Sequence, residues 1–320
     1  MIYIEHFETE SCYQPEVFFR RISKTVDYDR QWPLLCVGSY HREDLWAKFF
    51  ADLNAGKSRT RPSYCLDGVF ESVERVIGYS LGMCGQVSIV TAACASTAYA
   101  MFQAHALSVV CGTPVIVASA TRMMEGGFTR FWFRSLGAID QSTGIPFDRN
   151  SKGFASGEAM TFFIVSAKPI KPIAYIETLR FFSLTEQSTN VGSIELIRQQ
   201  LFNNLDVGDV CWWSAHAPGT PVGDAAEYEI FSSVIGDRDI PISSFKGLYG
   251  HTITSCFNFE LAKGLESLRG GVIPCNVELT SPINDDPRII VEPVRTTGTK
   301  FLKFNMGFGG KNVVAIVGLM

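Results

Sequence analysis

Cys94 is the residue with the clearest chemical opportunity in this chain. A β-branched run, residues 86–91, leads into Ala92-Ala93-Cys94-Ala95-Ser96-Thr97-Ala98. Residues 99–110 follow, apolar on nearly every face, and read as a buried helix. Small neighbours at such a strand-to-helix junction let a substrate approach the sulfur. Free helical N–H groups and the positive end of the helix dipole favour the thiolate. A free cysteine titrates near pH ~8.5, and such a placement lowers that by one unit or more. It would make Cys94 the most reactive thiol of the nine. The segment equally fits one more packed thiol, like Cys111, and does not choose between the two.

The histidines choose. There are five. His6 and His41 lie in ordinary polar stretches, and His105 falls inside the apolar helix, where a satisfied core or interface role suits it. His216 follows an expected strand, residues 208–214, in a loop of Ala, Pro, Gly and Thr that is too irregular for core. His251 ends Lys246-Gly247-Leu248-Tyr249-Gly250-His251, another glycine-bearing loop. Catalytic groups tend to sit on loops held by a rigid scaffold. A cysteine with two imidazoles so placed is a candidate nucleophile with candidate catalytic partners.

Elements must bring these three together. Residues 115–120, 159–167 and 311–318 read as further buried strands, and their alternation with helical stretches indicates stacked α/β layers. The prolines at 169 and 172 mark a seam, dividing the chain into 1–168, which carries the nucleophile, and 169–320, which carries both histidines. With 320 residues, 46% hydrophobic and 19% charged, the chain can bury a large core. A net charge of −4 argues against nucleic-acid binding. No run reaches membrane-span length and no secretory signal is visible, so a cytoplasmic protein is expected. The nine cysteines are odd in number and never spaced C-x-x-C, so reduced thiols are expected, not disulfides or a metal site. The run Lys57, Arg59, Arg61 reads as a solvated loop, with an acidic carrier as its alternative partner. Gly307-Phe308-Gly309-Gly310 precedes a strand, not a helix, and so is no dinucleotide fingerprint.

Five segments, taken in order, resemble the signature blocks of the β-ketoacyl synthases, condensing enzymes of the thiolase superfamily. Thr91-Ala92-Ala93-Cys94-Ala95-Ser96 is similar to the nucleophile block, and residues 146–148, 153–154 and 157–158 to the P-F-D … G-F … G-E-G block. His216-Ala217-Pro218-Gly219-Thr220-Pro221-Val222-Gly223-Asp224 resembles H-G-T-G-T-P-x-G-D, residues 246–251 resemble K-x-x-x-G-H, and residues 305–312 resemble the G-F-G-G-T-N loop. The resemblance implies a five-layered αβαβα fold of two related halves and a dimer. It implies that Cys94 holds an acyl group as a thioester. The N–H groups of Cys94 and Phe308 then form the oxyanion hole, with Phe308 also a gate. His216 and His251 donate hydrogen bonds to the carbonyl of a malonyl thioester as carbon dioxide leaves. Lys246 holds the charge and tautomer of His251, Glu227 belongs to the same network, and Thr220 grips the pantetheine arm. Two histidines resemble the elongating enzymes more than the priming ones.

No cofactor or metal is implied beyond the phosphopantetheine of an acyl carrier protein, in fatty acid or polyketide biosynthesis. The departures are Ala217-Pro218 for Gly-Thr, Met306 for an aromatic, Lys311 for threonine, and a short stretch before Cys94. That last feature leads one to expect reduced early layers. It keeps open a second reading, a catalytically weak chain-length-factor-like partner in a heterodimer with a longer synthase. A third is an acyltransferase or thioesterase that works without decarboxylation.

Overall fold

A computed structural model describes residues 1–39, 43–57, 73–123, 127–140, 144–184 and 192–320. His41, Arg59 and Arg61 lie outside the described residues. Lys57 is paired with Asp52 across 2.5 Å.

The first part of the chain contributes five strands: β1 (Ile2–Glu10), β2 (Leu34–Ser39), β3 (Val87–Ile89), β4 (Val115–Thr121) and β5 (Ala159–Ser166). The second contributes β6 (Ala174–Ser183), β7 (Trp213–Ser214), β8 (Ile242–Ser243), a separate pair β9 (Val272–Ile273) and β10 (Val294–Arg295), then β11 (Lys300–Gly307) and β12 (Lys311–Leu319). All but β9 and β10 join in the order β3-β2-β4-β5-β1-β6-β12-β11-β7-β8. From its outer edge, each set of five reads third, second, fourth, fifth, first in its own chain order. The pairing pattern also repeats, with β3, β2 and β4 parallel like β8, β7 and β11, and β5 and β1 antiparallel like β12 and β6. The chain passes from one set to the other through residues 167–173, where the two prolines lie. The expected reduction of the early layers does not appear, since the first set has all five strands.

Alternation along the strands builds the layers. On β4, Val115 and Val117 face the central cluster, while Ile116, Ala118 and Ala120 face the outer one with Phe18, Phe19 and Ile77 of helices Pro15–Thr25 and Val73–Leu81. On β12, Val313, Ala315 and Val317 face the centre, and Val314 and Ile316 face the other outer cluster with Ile230 and Phe231 of helix Pro221–Ile235. Between the two sets of five strands lie helices Ser96–Cys111 and Cys256–Arg269, which pack on each other. Helix, sheet, helix pair, sheet, helix is the five-layered thiolase-like arrangement.

Some expectations need correction. Helix Ser96–Cys111 is not covered all round, because Phe102 is 51% and Val110 83% exposed. Strand β3 is shorter than residues 86–91 and lies at the sheet edge, leaving Ile89 half exposed. Of residues 208–214 only Trp213 and Ser214 form a strand, after a turn at Gly208 and Asp209 and irregular chain to Trp212. The extended N-terminal residues 2–10, by contrast, form the middle of the sheet, which the sequence reading missed.

Candidate active site

Three residues after β3 the backbone makes a short 3-10 turn, Ala93–Ala95, before helix Ser96–Cys111 begins. Ala93 takes φ +51°, a left-handed conformation that costs a non-glycine residue about 1–2 kcal/mol. Ser96 holds the turn: its Oγ accepts from Ala92 N at 2.7 Å and donates to Ala93 O at 2.6 Å. The turn places Cys94 in the interior, 1% exposed. Its carbonyl accepts two further hydrogen bonds, from Asn305 Nδ2 at 2.8 Å and from the Cys256 thiol at 3.1 Å. Its sulfur faces the amide N–H groups of Phe308 and of Cys94 itself.

His251 Nε2 lies 3.2 Å from Cys94 Sγ. The loop that delivers it is held by His251 N donating to Ala155 O at 2.7 Å and Gly157 N donating to His251 O at 3.0 Å. Gly250 has φ +69°, and a Cβ there would come within 2.7 Å of Ser156 backbone, so the Gly-His pair in the sequence is a steric requirement. The Phe154 ring packs edge-on against the imidazole.

His216 leaves the end of β7 with its ring 5.2 Å from that of His251, centroid to centroid. Glu227, wholly buried, accepts from His216 N at 2.9 Å, Ala217 N at 2.6 Å and Trp213 Nε1 at 3.1 Å. It therefore shapes the His216 loop through the backbone and does not touch the ring, which makes it a positioning residue and not the catalytic one expected. Asp224 does the same nearby, accepting from Gly219 N at 3.1 Å and Phe147 N at 2.8 Å. Burial pushes its carboxyl up to about 7.

Lys246 also differs from expectation. Its Nζ contacts Glu260 Oε1 at 2.7 Å and makes no hydrogen bond to His251. Glu260 Oε2 receives Lys303 at 2.7 Å, and Lys303 continues to the carbonyls of Phe304 at 2.8 Å and Ala215 at 3.2 Å. All three side chains are at most 2% exposed. Two cations on one carboxylate leave a surplus positive charge beside the imidazoles. Burial first, then the charges of Lys246 and Lys303, hold both histidines well below the usual imidazole range. Burial also pushes the Cys94 thiol up to about 11, against the pull of Lys246 and the Phe308 N–H. The resting pair is thus neutral thiol and neutral imidazole. The thiolate expected from a helix N-terminus is not reached, because desolvation in the core outweighs the dipole.

Phe308, half buried against Trp132 and Phe133, separates two clefts. One, about 300 Å³, is lined by His216, His251, Thr220 and Pro221. The other, about 540 Å³, is lined by Cys94, Ile89, Thr129 and Trp132. A third, polar groove of about 650 Å³ by Arg198 and Arg238 shares none of these residues. Among the described residues no three His, Cys, Asp or Glu side chains are grouped to hold a metal, and no helix is long and apolar enough to cross a membrane.

The sequence reading missed Asn305 as a site group, Cys256, Glu260 and Lys303. Lys303 and Asn305 carried a signal: polar side chains at alternate positions of an otherwise apolar segment, residues 301–306, belong on one face of a buried strand.

Comparison with known proteins agrees with this arrangement. Residues 184–280 match the family model described as β-ketoacyl synthase, C-terminal domain. A tetracenomycin polyketide synthase ketoacyl synthase alpha subunit from Streptomyces glaucescens is 26% identical over 271 residues, 77% of this chain and 63% of that protein. The chain spans less than two thirds of the length of the curated relatives it matches first. A β-ketoacyl synthase structure from Burkholderia phymatum superposes with a TM-score of 0.79 at 20% identity, covering 96% of this chain and 82% of that one. A structure of a ketosynthase in complex with its chain length factor, from Xenorhabdus doucetiae, gives 0.78 at 16% identity, covering 100% and 98%. A family model matches part of the second half, relatives align across most of the length, and the fold is shared with solved β-ketoacyl synthases, the proteins to which this chain is similar.

Proposed function

We propose that the chain is an acyltransferase of the condensing type, joining an acyl group held on Cys94 to a malonyl thioester with loss of carbon dioxide. The observation that carries this is the 3.2 Å approach of Cys94 Sγ to His251 Nε2, at a sulfur that two backbone N–H groups face. The thiol proton passes to His251 as sulfur attacks the acyl carrier thioester. Oxyanion charge falls between the N–H groups of Cys94 and Phe308. The carrier thiolate leaves with the proton from His251. Malonyl thioester then enters beside Thr220, which holds its pantetheine arm, and Phe308 moves aside as gate. The bond to its carboxylate breaks, carbon dioxide departs, and the enolate carbon attacks the Cys94 thioester. Sulfur is released and regains a proton supplied from solvent, leaving a β-ketoacyl thioester on the carrier.

The partner reading has its own support. Phe102, Val109 and Val110 expose apolar surface on the helix that follows Cys94. That surface fits a dimer, homodimeric or with a longer synthase, and a similar fold occurs in the ketosynthase and chain length factor complex. Intact-protein mass spectrometry after incubation with acyl-carrier thioesters tests both. An acyl mass on Cys94 of the isolated chain is expected. No adduct, with or without a longer synthase present, overturns the enzyme reading and leaves the partner role. Light scattering reports the dimer.

A further inference from the structure

We propose that Asn305 is a positioning residue that locks His216 into the tautomer protonated on Nδ1, so that its Nε2 is a proton acceptor while His251 serves as the donor. This deepens the condensing-enzyme reading and, for its catalytic consequence, rests on it.

Both ends of the Asn305 amide are committed. Nδ2 donates to the Cys94 carbonyl at 2.8 Å, and Oδ1 lies 3.1 Å from His216 Nδ1. A carbonyl can only accept, so reversing the amide would set two oxygens against each other. The Cys256 thiol, 3.1 Å from the same carbonyl and 3.7 Å from Oδ1, is a donor toward both and agrees with this orientation. With Oδ1 fixed as an acceptor, the hydrogen of the 3.1 Å contact belongs to His216 Nδ1. A neutral imidazole then has a bare Nε2.

His251 differs. Its Nε2 faces Cys94 Sγ, and its Nδ1 has no hydrogen-bond partner among the described residues. Nothing fixes its tautomer, so once Cys94 is acylated it can carry its proton on Nε2 and donate to an oxyanion. His216 cannot donate from Nε2 until it takes up a proton, and the surplus charge of Lys246 and Lys303, with His251 alongside, opposes that. Glu260 is spent on the two lysines and Glu227 on the loop backbone. The two histidines, expected as a matched pair of donors, are therefore unlike. Strand β11 supports the distinction from one face: Lys303 holds the carbonyl of Ala215 next to His216, and Asn305 holds its ring.

Long-range proton–nitrogen NMR of the resting protein, labelled with ¹⁵N-histidine and assigned with His216→Gln, reads the tautomer directly. His216 is expected to show a pyrrole-type Nδ1 and a pyridine-type Nε2. A pyrrole-type Nε2 in the wild-type protein overturns the proposal without any Asn305 variant. Asn305→Leu should let the Nε2-protonated form appear, whereas Asn305→Asp, which still accepts, should keep Nδ1 protonated. An unchanged His216 signal in a folded Asn305→Leu protein also overturns it. The spectrum needs no substrate, so failure of Cys94 to be acylated would count against the condensing reading alone. Loss of malonyl decarboxylation in Asn305→Leu, with recovery in Asn305→Asp, separates a tautomer effect from general damage.

Discussion

The two halves of this molecule make the same turn for different ends. In the first, residues 90–92 follow β3, Ala93 takes φ +51°, and the 3-10 turn Ala93–Ala95 opens helix Ser96–Cys111. In the second, Ile253 takes φ +43°, and the turn Ile253–Ser255 opens helix Cys256–Arg269. Cys94 and Thr254 hold the same place in the two turns, and Ala100 and Glu260 the same place in the two helices. The second half inserts residues 244–252 between β8 and its turn, and that insertion delivers Lys246 and His251. The first half thus supplies the proposed nucleophile, just before a helix with no Asp, Glu, Lys or Arg, and the second supplies the imidazoles proposed to move protons and the buried charges. A duplicated scaffold fixes where the turn lies, and local residues decide what the turn does.

The sharpest way to test this division is to remove the histidines one at a time. His251→Ala takes away the group 3.2 Å from the sulfur, so acylation and condensation should both fall, on the order of 10²–10⁴-fold. His216→Ala should leave acylation near the wild-type rate and lower condensation alone. Single-turnover acyl transfer followed by carbon dioxide release separates the two. Equal effects of both variants on acylation would break the assignment of roles.

The next largest effect belongs to the helix position where the halves differ in charge. Glu260→Gln leaves Lys246 and Lys303 buried without a counter-charge and should cost about 3–5 kcal/mol of stability, visible in chemical denaturation. A loss under about 1 kcal/mol would mean that the backbone carbonyls around Lys303 suffice.

A smaller effect concerns the thiol. Below about pH 11 Cys94 holds its proton, so its thiolate fraction and alkylation rate should rise about tenfold per pH unit from 7 to 10. The exposed Cys12, Cys84 and Cys111 should label before it with iodoacetamide at neutral pH. A Cys94 rate that levels off near pH 7 would show that the helix N-terminus, not burial, governs it.

Sequence alone located the groups of this candidate site better than it foretold their electrostatics. Cys94, His216, His251 and Phe308 sit in short motifs with glycine or small residues on either side, and such patterns are local. The buried strands were legible because β4, β5 and β12 are continuous apolar runs. Glu260 was not legible, since a glutamate in Phe257-Asn258-Phe259-Glu260-Leu261 reads as an ordinary exposed helix residue until Lys246 and Lys303 arrive from elsewhere in the chain. The sign of the Cys94 shift was not legible either. It depends on burial by residues from distant parts of the chain, among them Phe133, Phe154 and Ile253, and no local pattern reports how much water remains around a sulfur.

The smallest effect tests the repeated turn itself. Ala93 and Ile253 both carry a left-handed φ that an L-residue adopts at a cost of about 1–2 kcal/mol. Replacing Ala93 by glycine removes that strain, while glycine's extra freedom in the unfolded chain returns about 0.5–1 kcal/mol of destabilisation. Ala93→Gly should therefore be neutral or stabilising by up to about 1.5 kcal/mol. Ile253→Gly relieves the same strain but empties a side chain that is 5% exposed and packs beside Cys94 and Phe133. Deleting a buried aliphatic side chain costs about 2–5 kcal/mol, so the net effect there should be a loss. Denaturation midpoints of the two variants, measured side by side, should move in opposite directions or with Ala93→Gly unmoved. If Ala93→Gly also loses more than about 1 kcal/mol, the turn at the nucleophile is not held under strain, and the two halves share a shape without sharing its energetics.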